Sequence, residues 1–573
     1  MPHGNIHQSQ HTKRSKNTNA YLVGGGIASL AAAVHLIHDA DVPANQIHII
    51  ESGSSPGGSM DGAGESENGY VLRGGRMLNF SYLCTYDLLS IVPSLTDPSK
   101  TVKQELDEFN AIPGNKTHAH ARLVSKGESG PEILNVESMG LSWKDREDLL
   151  ALAGPLQTEK SLGAKRIDEC FDKSFFQTKF WYMWDTMFAF EPWHSAVEFR
   201  RYLHRFIQEF PRINTLAGVD RTPYNQYDSV IRPIETYLKA QGVDFRYGKL
   251  IINNLYPVTL TWIVETKVTS LSFRSTGEMT ASEIHFASSK TGATGLIHVE
   301  LHDVVMVTLG SMTACSSIGS NTSPPKPLPV PEVAKTAPDG SWELWSTLAN
   351  SDSNPQFWSE FGNPTNFYSR VEESNWLSFT VTLKDPSFME RYEKWSGDKA
   401  GTGALVTFKD SAWLMSIVVP HQPHFLNQKA GTQVFWGYGL FPAHIGDFVK
   451  KPMSECSGEE ILKELLGHLQ FPEQPTLGTS ITIPFMLPYI TSQFLTRKIG
   501  DRPPVIPKGS TNLALLGQYV EIPEDTVFTV EYSVRAAQIA VHELMGTRRK
   551  PKSIYKGAHN VKVLAEALRM LLT

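Results

Sequence analysis

Two glycines and an acid near the N-terminus have the types and spacing that bind the diphosphate and ribose of a dinucleotide. Gly24 and Gly26 follow the short apolar run 20–23, and Glu51 closes the next apolar run. Glycines permit a tight turn and let backbone N–H groups approach a diphosphate at the start of a helix, while the acid accepts hydrogen bonds from ribose hydroxyls. Ser29 takes the third glycine position, where helix–strand packing requires only a small side chain. The pattern predicts a dinucleotide-binding β-turn-α-β unit; the alternative is a glycine-rich turn between packed elements.

A second approach of the backbone to the same ligand favours FAD over NAD. The apolar run 304–308 is followed by Gly310, and segment 517–535 can bring the chain back to the cofactor. A strand far along the chain that contributes to the same site is typical of flavoproteins, in which the fold positions one large cofactor. We therefore predict FAD as the cofactor.

The elements that must position these residues predict an α/β fold. The expected architecture is an FAD-binding Rossmann-like core of the two-dinucleotide-binding type, an inserted α+β substrate domain and a helical C-terminal region. The chain leaves the core and re-enters it. The predicted segments are a disordered tail (1–18), the first part of the FAD core (19–140), a helical substrate or lid region (141–242), a β-rich part that returns to the FAD core (243–325), a substrate-binding domain (326–505), the final part of the FAD core (506–545) and a basic amphipathic C-terminal helix (546–573).

Composition excludes several classes of protein. The 573 residues carry a net charge of −6, which argues against nucleic acid as a partner. Four scattered cysteines without a CxxC pair argue against a disulfide scaffold or a thiolate metal site, and no metal is expected. With no signal-peptide or membrane-spanning pattern, we expect a cytoplasmic protein. The basic, partly apolar segment 546–573 predicts either peripheral contact with the inner membrane surface or a cover over its own or a sister subunit. Monomer and homodimer both stay open.

Eight short motifs, in order and at similar spacing, resemble those of the fatty acid hydratases, the oleate hydratases once called myosin-cross-reactive antigens. The likeness runs from about residue 19 to 550. The motifs are Gly24-Gly25-Gly26-Ile27-Ala28-Ser29-Leu30, Arg73-Gly74-Gly75-Arg76, Phe188-Ala189-Phe190, Trp193-His194-Ser195-Ala196, Tyr224-Asn225-Gln226-Tyr227, Gly310-Ser311-Met312-Thr313, Gln422-Pro423-His424-Phe425 and Phe528-Thr529-Val530-Glu531-Tyr532-Ser533-Val534-Arg535.

The resemblance implies an FAD-containing lyase that adds water across a cis double bond of a free unsaturated fatty acid, without net redox change. Such a reaction needs an acid to protonate one olefinic carbon and a group that holds water at the other. Together the glycine pattern and the resemblance assign the cofactor contacts. These are Gly24, Gly26, Ile27, Ala28, Ser29, Glu51, Gly58, Ser59, Arg73, Gly74, Gly75, Arg76, Thr308, Gly310, Ser311 and Phe528.

Two positions implied by the resemblance concern the chemical step. The tyrosine thought to protonate the alkene corresponds to Tyr202, whose alternative is a core tyrosine on an amphipathic helix. The glutamate that usually ends the family's RGGRE loop is Met77 here, and a thioether takes no proton at neutral pH. Water is then positioned by the backbone of the 74–76 loop, by another polar residue such as Asn79, or not at all.

A second departure lies where relatives bind the fatty acid head group. Val418 and Pro420 occupy positions that are usually threonine and asparagine, while Gln422 and His424 remain. Head-group binding then depends on His424 or His421, because a carboxylate stabilises a protonated imidazole; the alternative is a structural histidine. The resemblance also implies that Gln226 approaches substrate or flavin.

Two other functions are compatible with the same fold. One is a flavin oxidoreductase of the amine-oxidase or desaturase-like type, because fold does not determine function. The other is a non-catalytic protein that binds FAD and fatty acid but has lost its water-activating acid at Met77. If the protein is an oxidoreductase, substrate alone should bleach the flavin. If it is a binding protein, the double bond of the bound fatty acid should stay unchanged.

Overall fold

The computed structural model describes residues 17–128, 130–248, 266–275, 277–288, 291–328, 340–350 and 355–572. The predicted tail 1–18 therefore lies outside the described residues except for its last two positions. Among the described residues, no helix is both long and apolar enough to span a membrane.

The strands fall into two main sheets and three small ones. They are β1 (Ala20–Val23), β2 (Ile47–Glu51), β3 (Gly62–Glu65), β4 (Gly69–Leu72), β5 (Leu78–Asn79), β6 (Leu123–Gly127), β7 (Gly130–Ile133), β8 (Val219–Asp220), β9 (Asp244–Tyr247), β10 (Thr266–Phe273), β11 (Ala281–Ser288), β12 (Thr294–His298), β13 (Val304–Thr308), β14 (Ser317–Ile318), β15 (Trp376–Leu383), β16 (Leu405–Phe408), β17 (Met415–Val418), β18 (Gln433–Gly439), β19 (Ser480–Leu487) and β20 (Leu513–Leu516).

The α-helices are concentrated in the middle of the chain and at its end. They are α1 (Ile27–Ala40), α2 (Leu83–Leu89), α3 (Val102–Ala111), α4 (Trp143–Ala153), α5 (Glu159–Leu162), α6 (Lys179–Phe188), α7 (Ala196–Arg205), α8 (Arg232–Gln241), α9 (Ser341–Asn350), α10 (Thr365–Tyr368), α11 (Val371–Ser374), α12 (Ser387–Ser396), α13 (Gly458–Leu469), α14 (Thr476–Thr479), α15 (Val530–Met545) and α16 (Val561–Leu572).

The first main sheet is parallel, with the strand order β20-β13-β1-β2-β9. Its three central strands β13, β1 and β2 are almost wholly apolar, as expected for strands covered on both faces. Helices α1 and α15 pack against each other beside the sheet. Strands from the beginning, middle and end of the chain are therefore neighbours in this sheet.

The second main sheet has eight strands in the order β14-β19-β15-β18-β17-β16-β6-β7. All its pairs are antiparallel except β16 with β6. Strands β6 and β7 lie in the segment 19–140 predicted as FAD core, yet they pair in this sheet because Leu123 and Val124 lie in register with Thr407 and Phe408. The sheet carries Trp376, Trp436 and Val418 towards the interior.

A buried ion network fixes helix α7, which carries Tyr202. The carboxylate of Glu198 is fully buried and accepts hydrogen bonds from Arg497 at 3.1 Å and from Arg502 at 2.9 Å. Arg201, on the same helix, pairs with Glu159 and Glu521. Burial alone would raise the pKa of Glu198, but the arginines outweigh burial and lower this pKa to about 2.

Replacing Glu198 by glutamine should reduce the free energy of unfolding at pH 7 by about 2 kcal/mol, because the buried Arg502 loses its counter-ion and Arg497 keeps only Glu521, although both keep an acceptor at position 198. Because the pKa of Glu198 is depressed, its stabilisation of the folded state is fully present above about pH 4.5 and is lost as the pH falls towards 2. Urea unfolding at pH 7 and pH 3 measures both effects. The control is Glu543→Gln, an exposed glutamate on α15; equal losses in the two variants would contradict the assignment.

The C-terminal helix is shorter than predicted and docks on its own chain. Helix α16 begins only at Val561, and it contacts the 3₁₀ turn Ile207–Arg212. Ala567 and Leu571 are buried, whereas Val561 and Leu568 of the predicted apolar face are exposed. Basic residues before the helix pair with acids of the same chain, as Lys556 does with Glu524 at 2.7 Å. These contacts support the alternative of a cover over the chain itself, and membrane contact stays a prediction.

Candidate functional site

A cavity of about 520 Å³ opens at the carboxyl ends of the parallel strands β1, β2, β13 and β20. The turn after β1 is tied down by two backbone bonds, from Gly24 N–H to the Ile50 carbonyl at 2.8 Å and from Gly57 N–H to the Gly25 carbonyl at 2.9 Å. Glu51 accepts hydrogen bonds from the N–H groups of Gly25 and Gly53, both at 2.6 Å. This arrangement holds the acid at the end of its strand, as predicted for ribose binding.

The glycines of the turn leave a cradle that a diphosphate fits. A Cβ added to Gly26 would have no heavy atom within 4 Å and would project into open space. Helix α1 begins at the next residue and has no acid in its first turn, so its positive end faces the cavity uncompensated. The opposite wall, in contrast, is close-packed, because a Cβ at Gly310 would lie 2.7 Å from the ring of Tyr519. The residues present fit a dinucleotide such as FAD.

Most predicted cofactor residues line this cavity. Ser29 does not: it is buried, with its hydroxyl 3.3 Å from that of Thr308, and serves the packing of helix on strand. Gly74, Gly75, Arg76 and Phe528 line a second, neighbouring cavity instead. The predicted residues that line the cavity are Gly24, Gly26, Ile27, Ala28, Glu51, Gly58, Ser59, Arg73, Thr308, Gly310 and Ser311.

Sequence reasoning missed one wall of the cavity. Lys267 and Val268 of β10, together with the segment 340–341 at the start of α9, also line it. Gln518 lies there as well, within the segment that we expected to return to the flavin. The glycine at position 340, which precedes a helical pattern, was the one feature of the sequence that could have indicated this wall. No feature of the sequence indicated Lys267.

Gly26→Val tests the cradle. Gly26 has φ −74°, which valine tolerates, and a Cβ there has no protein atom within 4 Å, so folding should be unaffected. The side chain would occupy the space of the diphosphate, and FAD affinity should fall at least about tenfold. Flavin fluorescence titration and thermal unfolding measure the two properties. The control is Gly114→Val, because a Cβ at Gly114 also points into open space but lies outside the cofactor cavity. Undiminished FAD binding by Gly26→Val would show that the diphosphate does not bind at Gly26.

A second cavity, of about 110 Å³, adjoins the loop Arg73–Arg76 and contains Tyr202. Helix α7 presents this tyrosine, which is 1% exposed and packs edge-on against Phe188 and Phe190 with ring centroids 4.9 and 5.0 Å away. Its hydroxyl donates to the carbonyl of Val527 at 2.6 Å. Burial, reinforced by nearby Tyr82, raises the pKa of Tyr202 well above its ordinary value, so the hydroxyl stays protonated.

Aromatic and cationic side chains form another part of the wall of the Tyr202 cavity. Trp376 stacks on Tyr438 at 4.8 Å, and Trp436 stacks on the same ring at 5.9 Å. A Cβ at Gly75 would lie 2.4 Å from Trp436, so the loop can approach this wall only with glycine at that position. Arg76 is half-buried, and desolvation lowers its pKa to about 10, which still leaves it charged.

The segment that returns from β20 joins the two cavities. Phe528 lines the Tyr202 cavity and lies under the Arg76 guanidinium, 5.6 Å from its ring centroid. It adopts φ +71°, a conformation that is strained for a residue with a side chain, and its N–H donates to the Gln518 side chain. Because Gln518 lines the cofactor cavity, the carbonyl that holds Tyr202 is positioned from the cofactor side.

Met77 stands where three cavities meet. It lines the Tyr202 cavity, a smaller cavity behind Tyr82, and a third cavity of about 30 Å³ beneath β17. No carboxylate, imidazole or thiol lines the Tyr202 cavity among the described residues. The structure thus places the methionine between the predicted proton donor and the predicted head-group residues.

Asn79 is used otherwise than predicted. Its amide donates to Glu209 and to the Gly218 carbonyl, both at 2.9 Å, and its oxygen accepts hydrogen bonds from the N–H and hydroxyl of Ser81. The side chain lies in the cavity behind Tyr82, which Glu209 also lines. Its hydrogen-bonding capacity is therefore taken up by structure rather than by a water in the Tyr202 cavity.

The third cavity brings together Gln226, Val418, Pro420, His421 and His424. Gln226 donates to the carbonyl of Gly74 at 2.9 Å and so fixes the loop. Burial, with nearby Arg221 and His421, lowers the pKa of His424 to about 3, and burial also lowers the pKa of His421. Both imidazoles are neutral in this state, and a bound carboxylate would favour their protonation.

Gln422 is not in this cavity. Its amide donates to the Pro420 and Val434 carbonyls at 3.0 and 2.7 Å, and its oxygen accepts hydrogen bonds from Gln428 and Val434. These hydrogen bonds stabilise the turn after β17. Among the residues lining these cavities that sequence reasoning missed are Tyr82 and Arg221, since each is a single polar residue that the sequence analysis did not single out.

Comparison with known proteins gives a family and a fold. The MCRA family model matches residues 17–542. An oleate hydratase of Streptococcus pyogenes serotype M49 (strain NZ131) is 36% identical over 567 residues, which cover 96% of this chain and 89% of that protein. A linoleate hydratase of Lactiplantibacillus plantarum is 34% identical over 566 residues, which cover 92% and 94%.

Among solved structures, an oxidoreductase from Methanosarcina mazei has a TM-score of 0.50 at 12% identity and covers 92% of this chain and 100% of its own. At this identity the likeness concerns the fold alone. With the parallel sheet and its cradle, it confirms the predicted dinucleotide-binding α/β core with a helical C-terminal region.

Proposed function

The chain belongs to the MCRA family, the family that its motifs resemble, and we propose that it is an FAD-containing hydro-lyase that adds water across a cis double bond of an unsaturated fatty acid. The observation that carries this proposal is the buried, protonated Tyr202 hydroxyl in a largely aromatic cavity beside the cofactor cradle. The names of the two relatives support the substrate class and the reaction.

Protonation of the alkene falls to Tyr202. Its raised pKa makes it a weak acid towards water, so the proton stays in place until a substrate carbon is held against it. The Val527 carbonyl keeps the hydroxyl oriented meanwhile. Protonation moves one hydrogen from oxygen to an olefinic carbon and leaves the positive charge on the other carbon.

The aromatic wall stabilises that charge. Trp376, Trp436 and Tyr438 line the cavity in which the cation forms, and aromatic faces attract cations by about 0.5–2 kcal/mol in desolvated sites. The dry surroundings strengthen this attraction and the field of the tyrosinate. Gly24, Gly26 and Glu51 would hold FAD in the neighbouring cradle, and when bound it would supply electrostatic stabilisation without hydride transfer.

Water attack does not require a carboxylate at position 77. Once the cation has formed, water adds readily, and the resulting protonated alcohol is so strong an acid that a second water can take its proton and return it to Tyr202. The carbonyls of Gly74 and Gly75 accept hydrogen bonds from Gln226 and Arg76, and each carbonyl has a second lone pair with which to orient water. We therefore assign water positioning to the loop backbone, with slower turnover than a carboxylate would give.

Anaerobic incubation with oleic acid separates this function from flavin redox chemistry. The expected product is heavier than the substrate by one water, and the absorption spectrum of oxidised flavin should persist throughout. Bleaching of the flavin in step with loss of substrate would instead establish an oxidoreductase. Bound but unaltered oleic acid, with an unchanged spectrum, would establish a binding protein.

A further inference from the structure

Arg221 is a buried cation without an acidic partner. Only 8% of the residue is exposed, and its guanidinium donates to two neutral oxygens, the Thr117 hydroxyl at 3.1 Å and the Gly403 carbonyl at 3.0 Å. Among the described residues no carboxylate forms an ion pair with it, in contrast to the buried Arg201 and Arg497. A buried charge costs several kcal/mol unless something compensates it, so this site is incomplete as it stands.

The guanidinium faces a cavity. Arg221 lines the space of about 30 Å³ beneath β17 together with His421 and His424. Its third nitrogen, Nη1, has no hydrogen-bond partner among the described residues. Burial lowers the pKa of Arg221 to about 10, which leaves it protonated at neutral pH.

A second buried group points to the same ligand. His424 is 8% exposed, and its Nε2 has no hydrogen-bond partner. The neutral imidazole can present an N–H there, so the cavity holds one fixed positive charge and one unsatisfied donor side by side. The other arginine at this cavity, Arg76, is already bonded to the Gly75 and Ser59 carbonyls and lies on the flavin side.

This set of donors complements a carboxylate. Guanidinium groups bind carboxylates through charge-assisted hydrogen bonds, often two at once. Val418 and Pro420 supply neither a hydroxyl nor an N–H, so the polar contacts must come from the opposite wall. We propose that Arg221 is the head-group receptor, with the carboxylate of a fatty acid bound between its Nη1 and His424.

This inference rests on the proposed function and specifies that the substrate carries a free carboxylate. Since Met77 lines both this cavity and that of Tyr202, a chain anchored at Arg221 passes the methionine to reach the tyrosine. Free acids should therefore be preferred over esters and alcohols of the same chain, which cannot compensate the buried charge.

The test compares oleic acid with methyl oleate in the full-length FAD-loaded protein, by equilibrium dialysis and by turnover. Wild type should bind the acid about 30-fold more tightly than the ester, the scale of one charge-assisted hydrogen-bonded pair. Arg221→Met should bind the acid about 30-fold more weakly and the ester unchanged. Arg274→Met, which removes a guanidinium just after β10 that is bonded to the Val299 carbonyl, should alter neither.

Equal binding of acid and ester by the wild type, or an equal loss of both in Arg221→Met, would overturn the assignment. If Arg221→Met fails to fold, Arg221→Lys retains the charge and should keep the preference for the acid. Arg221-dependent binding of oleic acid without any hydration would contradict the proposed function but not this receptor. Hydration that does not depend on Arg221 would contradict the receptor alone.

Discussion

Tyr202→Phe is expected to lower the turnover of oleic acid by about 10²–10⁴-fold, the range that one positioned general acid contributes. Phenylalanine keeps the ring contacts with Phe188 and Phe190 and removes only the hydroxyl and its bond to Val527. Flavin content, thermal stability and oleic acid binding should therefore stay close to wild type. Turnover is measured from the formation of hydroxy acid by mass spectrometry.

Two controls separate the acid from its neighbours. Tyr182→Phe removes a hydroxyl bonded to Gln177 on the preceding helix and should leave turnover unchanged. Tyr82→Phe removes a second phenol hydroxyl that lines the same cavity and, unlike that of Tyr202, has no hydrogen-bond partner among the described residues. If Tyr202→Phe retains most activity and Tyr82→Phe does not, the proton donor is Tyr82.

Met77→Glu should raise turnover by about 100-fold, because a carboxylate where the three cavities meet could accept the proton of the attacking water directly. Arg76 lines the same cavity, and its positive charge would lower the pKa of the new glutamate and keep it ionised at neutral pH. The gain should therefore be present at pH 7 and decline as pH falls through the pKa of the new glutamate. Initial rates across pH 5–8 measure it.

Met77→Gln is the matched control, with the same length and no charge. Glutamine should give less than a tenth of the gain of glutamate, because it can orient water but cannot accept a proton. Equal rates for the two variants would show that water activation does not limit turnover. Tyr202→Phe in the Met77→Glu background should remain slow, since the two residues act on different protons.

The cofactor cradle could be predicted because its determinants are local. The turn of Gly24–Gly26 lies between a strand and a helix that adjoin it in sequence, and the acid at Glu51 ends the next strand. The return at Thr308 and Gly310 was also predictable, because a run of four apolar residues before Thr308 fits a strand buried on both faces.

The head-group receptor could not be predicted, because nothing local distinguishes Arg221 from an exposed arginine. Its burial depends on Thr117 and Gly403, which lie about a hundred residues before it and nearly two hundred after it. The role of Asn79 was unpredictable for the same reason, since Glu209 and Gly218 take up its amide. In the C-terminal helix, helical periodicity predicted an apolar face, but the position of the 207–212 turn determined that Ala567 and Leu571 are covered and Val561 is not.

The central claim is that water adds to an unsaturated fatty acid although position 77 carries no acid. It is tested most directly by incubating the FAD-loaded protein with oleic acid in H₂¹⁸O, without oxygen and with the flavin either oxidised or reduced. The expected product is a hydroxystearic acid that carries one ¹⁸O atom and requires Tyr202. Unchanged oleic acid under both conditions, or a product that contains no ¹⁸O, would contradict the account.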